Sequence, residues 1–362
     1  MSFFKDKLTK AEVSFSYDDI LIKPAHSAVL PANIDLTLKL NDKLNLALPI
    51  FSAAMDTITD YGMARAMTMY GCCGPLHKNV VTDGNIENIK KLKEEFGDNK
   101  PICVSVGVNN SEEEMTKMVK AGANMIVVDC AHAHSENVGN IVKWISTTFP
   151  EVYLIAGNVV TAEAAKFLVE RGANAIKVGI GCGSICTTRK VTGIGRGQIS
   201  AIAEVADYCK ERNVLVIADG GIRTTDEIVK AIACGADAVM LGNMLAGSDE
   251  CPGDIVEIDG EKYKYYRGMG SYGVMKENKN EGRYNRHLLA TCKWVAEGVE
   301  SYVKAKGPVK DILHSIEWGV KAAFGYLGAS NLKEAKERSF FTKTTASVLS
   351  RNNYHSIDKL IG

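Results

Sequence analysis

No stretch of this chain approaches the ~18 uninterrupted apolar residues of a membrane span, and its first ten residues place no apolar core after their charges. A transmembrane helix and a secretory leader are therefore not expected, and the sequence reads as a soluble, cytoplasmic protein. Net charge is missing too. With 43 basic against 43 acidic residues there is no overall field to draw in nucleic acid or a membrane surface, so a small, specifically recognised molecule is the expected partner. The cysteines lack the grouping of a disulfide scaffold: Cys72, Cys73, Cys103, Cys130, Cys209 and Cys234 fall within apolar strand-like or helix-like segments, as in a reducing cytosol. A zinc-ligand spacing is lacking as well, because His132 and His134 stand two apart with no further ligand in a recognised pattern, and they read as solvated loop residues.

What is present is a recurring alternation. Short apolar runs appear at Leu48–Ser52, Cys73–Leu76, Ile102–Val106, Met125–Asp129, Tyr153–Gly157, Ala175–Gly179, Val214–Asp219 and Ala238–Gly242. Most are separated by segments of helical periodicity, such as Glu112–Ala121, Ala162–Arg171 and Thr225–Cys234, and a Gly-Ala pair follows three of these helices. Eight strands alternating with helices predict an α/β fold, a closed (β/α)₈ barrel, ahead of an open doubly wound sheet. The barrel is expected to occupy residues 1–362 as a single domain. Beyond Gly247 the pattern becomes polar: a hairpin around Asp259-Gly260 and a charged loop from Lys276 to Arg286 predict a mobile flap over about 250–300 at the C-terminal face.

That face is where such barrels place chemistry. After the sixth run comes Gly179-Ile-Gly-Cys-Gly-Ser-Ile-Cys-Thr-Thr-Arg189, whose glycines free backbone groups to meet an ion. Ser184 suits a phosphate and Cys186 is a candidate nucleophile; the competing reading is a plain glycine turn around a structural cysteine. Asp219-Gly220-Gly221 and Gly242-Asn243 end the seventh and eighth runs, where a barrel phosphate site needs amides to approach an anion closely. Asp219 is either a ribose ligand or a helix cap, and Asp129 ends the fourth run pointing toward the same mouth. Tyr265-Tyr266-Arg267-Gly268-Met269-Gly270-Ser271 fits a loop wrapped on a flat ligand, whereas Arg283-Tyr284 and Glu297-Gly298 lie in a flap that could simply be solvated.

Taken together, these segments resemble the IMP dehydrogenases, with the GMP reductases as close relatives on the same barrel. The resemblance runs from Phe15-Ser-Tyr-Asp-Asp-Ile-Leu21 and Ser52-Ala-Ala-Met-Asp-Thr57, through His77-Lys-Asn79, Gly157-Asn-Val-Val160 and the cysteine loop, to Ala218-Asp-Gly-Gly-Ile222 and Tyr266-Arg-Gly-Met-Gly-Ser271. It implies that Cys186 adds to the purine C2 carbon, with Thr188, Arg283 and Tyr284 as further catalytic residues. Ser184, Gly221, Gly242 and Tyr266 would contact phosphate, with Asn243 where a serine is common. Asp219 would hold the ribose, and Ser52, Met55, Gly268, Met269, Gly270 and Glu297 would complete the IMP site. Asp129, Cys130, Ala131 and Gly179 would meet NAD, and carbonyls of Gly181, Gly183 and Cys186 a potassium ion. The implied assembly is a homotetramer, without the inserted pair of regulatory CBS modules between His77 and Val104.

Ala131-His-Ala-His-Ser135, Arg283-Tyr284 and the Gly-Met-Gly-Ser loop favour the dehydrogenase. Thr192-Gly-Ile-Gly195 and the chain length resemble a GMP reductase, and Ser350-Arg-Asn-Asn-Tyr-His355 lacks the acidic residue that supports the cation in a neighbouring subunit. A flavin-dependent barrel and a catalytically idle nucleotide sensor remain as readings from other classes.

Overall fold

The computed structural model describes residues 3–79, 82–277 and 295–350. Seven parallel strands form its central sheet: β1 (Ile50–Ser52), β2 (Cys103–Val106), β3 (Met125–Asp129), β4 (Tyr153–Val159), β5 (Ala175–Val178), β6 (Leu215–Asp219) and β7 (Ala238–Leu241). They pair in the order β1-β7-β6-β5-β4-β3-β2. Residues 73–76 fill the remaining gap. Phe51 pairs with Cys73 and Leu76 with Val104, through Ser52 N–H to Cys73 O at 3.0 Å and Ser105 N–H to Leu76 O at 2.8 Å. This eighth stave closes the ring, as the strand count predicts. It is made of two bridges rather than a continuous strand, because Pro75 has no N–H to give to a ladder.

All four residues of β2, all seven of β4 and all four of β5 are buried. Helices covering the outside explain why these strands read as unbroken apolar runs instead of alternating ones. The expected helices appear as α1 (Glu112–Ala121), α2 (Ala162–Val169) and α3 (Thr225–Ala233). Ser111 caps α1 by accepting from Glu114 N–H, while Glu114 accepts from Ser111 N–H, and Gly122 ends it in the left-handed region at φ 120°.

After β7 the chain builds an antiparallel sheet from β8 (Ile255–Ile258), β9 (Glu261–Arg267) and β10 (Glu300–Lys304). The turn between β8 and β9 falls on Asp259 and Gly260 at φ 53° and 78°, the conformation that the Asp-Gly pair predicts. β10 returns the far end of the flap segment alongside β9, a pairing that local pattern did not suggest. Among the described residues no helix is long and apolar enough to cross a membrane, and the nine cysteines that lie among them, of ten in the sequence, are free thiols.

Candidate active site

The strand tips and the loops beyond them surround a cavity of about 1030 Å³. Met55, Asp129, Cys130, Ala131, Gly181, Gly183, Ser184, Cys186, Thr188, Asp219, Gly221, Gly242, Asn243, Tyr266, Gly268, Met269, Gly270 and Glu297 all line it. Ser52 and Gly179, expected at the ligand, sit behind the wall. The Ser52 hydroxyl accepts from Thr59 Oγ1 at 2.7 Å inside the core. Gly179 lets two strand tips touch: at φ 146° any β-carbon there would come within 1.9 Å of Asp219 O. Arg283 and Tyr284 lie outside the described residues, as does the C-terminal segment from Arg351.

Cys186 sits half-buried on the loop after β5, directly before the short helix Thr188–Thr192. Its thiol donates to Thr188 Oγ1 at 3.2 Å, and the Thr188 hydroxyl donates to the Glu297 carboxylate at 2.8 Å. Backbone bonds hold this line of groups in place. Thr187 N–H reaches Glu297 O at 2.9 Å, Val299 N–H reaches Ile185 O at 3.0 Å, Gly268 N–H reaches Val299 O and Glu297 N–H reaches Gly270 O, both at 3.0 Å. The cysteine loop, the 297–299 segment and the 268–270 loop therefore form one hydrogen-bonded patch. Arg189 braces the loop from its far side, since its Nε donates to Ile180 O at 3.1 Å and its guanidinium also reaches Arg196 O. That commits Arg189 to backbone carbonyls instead of to the thiol beside which it stands in sequence.

Elsewhere in the cavity, polar groups without a full charge converge. Burial pushes the Tyr266 phenol above its ordinary range against a hydrogen bond from Ser184. The same hydroxyl stands 3.2 Å from where a β-carbon on Gly242 would project, and Gly221 adopts φ 81° at the tip of β6. Two hydroxyls and glycine-flanked amides make a cradle for an anion.

The same cavity is lined by an ion cluster. Lys177, 3% exposed, projects from the middle of β5 and places Nζ 2.6 Å from Asp219 Oδ2 and 2.8 Å from Asp129 Oδ1. Asn158 Nδ2 donates to Asp219 Oδ2 at 2.9 Å, and Lys78 Nζ donates to the Asp129 carbonyl at 2.9 Å. Burial opposes the Lys177 charge, yet the two carboxylates outweigh it and hold the ammonium above its ordinary range. Burial likewise works against the Asp129 carboxylate, but Lys177 and Lys78 bring it below the usual range. Sequence reasoning passed over Lys177 and Asn158. The available signal was a single cation inside the apolar run Ala175-Ile-Lys-Val178, which a strand buried on both faces tolerates only with partners.

The two loop histidines pack as aromatic rings, with His134 5.0 Å from Phe167, and among the described residues no group of three or more His, Cys, Asp or Glu could hold a metal. Residues 14–355 match the family model for the IMP dehydrogenase / GMP reductase domain. Similar curated proteins include the inosine-5′-monophosphate dehydrogenases of Borreliella burgdorferi, 36% identical over 97% of this chain and 98% of that protein, and of Cryptosporidium parvum, 37% identical over 95% of each. That of Staphylococcus epidermidis is 32% identical over 96% of each.

Proposed function

Because this chain belongs to the IMP dehydrogenase / GMP reductase family, we propose that it oxidises IMP to XMP with NAD through a covalent bond between Cys186 and the purine. One observation carries the reading: the Cys186–Thr188–Glu297 line, the Ser184–Gly242–Tyr266 cradle and Asp219 all line one cavity. A nucleotide whose phosphate lies in the cradle has its ribose beside Asp219 and its base under the 268–270 loop. The cavity continues past Asp129, Cys130 and Ala131, and its volume leaves room for a second, nicotinamide-bearing ligand. The residues there fit NAD, with the Asp129 carboxylate available to ribose hydroxyls. When bound, NAD supplies the acceptor for the hydride that leaves C2.

Cys186 adds as a thiolate, so its proton must leave, and Thr188 Oγ1 and Glu297 offer it a path. Loss of hydride from C2 leaves a thioimidate. Once the thiol's proton has passed on to solvent, water adds to that carbon and the Cys186 sulfur departs, one proton of the water ending on the purine N3 and the other passing through the same carboxylate and threonine to the sulfur. In the resemblance Arg283 and Tyr284 share this second step. Carbonyls of Gly181, Gly183 and Cys186 are neutral oxygen donors that suit potassium. Potassium dependence, homotetrameric assembly and a cytoplasmic location belong to the same reading and rest on the resemblance.

Mixing protein with IMP and NAD gives NADH absorbance and XMP, and intact-mass analysis finds a nucleotide adduct on Cys186. Turnover of GMP with NADPH, and none of IMP with NAD, would instead assign the reductase reaction that Thr192-Gly-Ile-Gly195 resembles. Thr188→Val removes the hydroxyl between thiol and carboxylate while keeping the shape. It lowers kcat about 100-fold, the scale of a lost general acid–base group, with a smaller change in KM for IMP. Steady-state kinetics at saturating NAD check this, and an unchanged kcat removes the relay from the mechanism.

A further inference from the structure

Three loops of the site meet at a carboxylate that does not line the cavity. Asp56 follows Met55 after β1, and its side chain is only 10% exposed. Arg267, at the end of β9 and 13% exposed, spans both of its oxygens: Nε lies 3.3 Å from Oδ1 and 3.2 Å from Oδ2, and Nη2 lies 2.8 Å from Oδ2. Asn79 Nδ2 donates to the same Oδ2 at 3.2 Å, and Arg267 N–H donates to Thr57 Oγ1 at 3.3 Å. Each of these loops reaches the cavity through a neighbour: Met55 beside Asp56, Asn79 itself, and Tyr266 and Gly268 on either side of Arg267. Asn79 Nδ2 also stands 3.9 Å from the Met269 sulfur. A guanidinium forked onto a carboxylate restricts orientation as well as distance, which a point charge does not. The fork sits one residue from the buried Tyr266 hydroxyl of the cradle and one residue from the glycine that begins the base loop.

We propose that Asp56 and Arg267 form a positioning pair that sets the 268–270 loop against the 55–57 loop, and thereby governs capture of the purine nucleotide more than the chemistry at Cys186. This rests on the IMP dehydrogenase reading. The nucleophile's loop keeps an anchor outside that patch, since Arg189 braces it from its far side through Ile180 O and Arg196 O, so loosening the base loop acts first on binding.

The test uses the full chain and its Asp56→Asn, Arg267→Lys, Arg267→Met and Asp56→Asn/Arg267→Met variants, with IMP binding by calorimetry and steady-state kinetics in both substrates. Breaking a buried charge-assisted contact on this scale raises the dissociation constant and KM for IMP about tenfold or more, with kcat within about threefold and KM for NAD within about twofold. The double variant is no worse than the worse single one, because the two groups act as a unit. Arg267→Lys recovers part of the loss, keeping the charge without the fork, and it carries the test if Asp56→Asn does not fold. Variants that bind IMP as tightly as the parent, or that lose kcat equally with both KM values unchanged, overturn the pair. A parent protein that binds no IMP overturns the functional reading instead.

Discussion

Cys186→Ala lowers turnover of IMP by at least about 10⁴-fold while IMP still binds within a few-fold of the parent protein. The size of the loss follows from the covalent route: without sulfur no bond to C2 forms, and groups that act only on the adduct have nothing to act on, so their contributions vanish with the nucleophile. Binding survives because Gly242, Tyr266 and the Asp219 carboxylate stand on other elements, and Ser184, although on the loop of Cys186, is hydrogen-bonded to Tyr266 and does not depend on the thiol. Stopped-flow NADH formation and calorimetric IMP binding read the two effects separately. Residual turnover near the parent rate sinks the nucleophile assignment.

Lys177→Met has the second large effect, and it is double. Methionine keeps most of the stem but leaves the Asp129 and Asp219 carboxylates facing each other without the ammonium between them. Removing one partner of a buried ion cluster costs about 3–5 kcal/mol, and its two carboxylates, Asp129 and Asp219, are the groups proposed above to meet the ribose of each ligand. KM therefore rises for IMP and for NAD together, and the midpoint of urea unfolding falls. The pH dependence has a definite sign. A depressed Asp129 contributes stability above the ordinary carboxylate pKa of about 3.9 and loses it as pH falls through the folded value; a raised Lys177 contributes below about 10.4 and loses it as pH rises through its own folded value. The stability gap between parent and variant is accordingly widest near neutrality and narrows in acid, where protonation relieves the facing carboxylates. A gap that stays constant from pH 7 to pH 4 shows that the cluster does not set it.

The eight-strand pattern was legible because a strand buried on both faces must be written as an apolar run, and a run such as Met125–Asp129 leaves little choice of element. Its ends were legible for the same reason: Asp129 and Asp219 are the first residues at which polarity is tolerated again. The stave at 73–76 was visible as a run, but not as an interrupted strand. Of the site, the loop carrying Cys186 and the glycines that let backbones approach one another could be read, since such turns demand particular residues. Lys177 could not be placed. A lysine in an apolar run has a meaning only when the strands on either side bring carboxylates to it, and those come from β3 and β6, 48 and 42 residues away in number.

Sequence by itself determined the barrel, the place of the cysteine loop and the glycine turns at the ends of its strands, and a candidate nucleophile, because these follow from periodicity and from residue types adjacent in the chain. Tertiary structure alone decided which groups face one another: that Thr188 hands its hydroxyl to Glu297 across 109 residues, that Asp56 is answered by Arg267 across 211, and that Arg189 turns from its neighbour Cys186 to brace carbonyls. Pairings of this kind depend on how a ring of strands closes, and closure leaves no mark on any one stretch of the sequence.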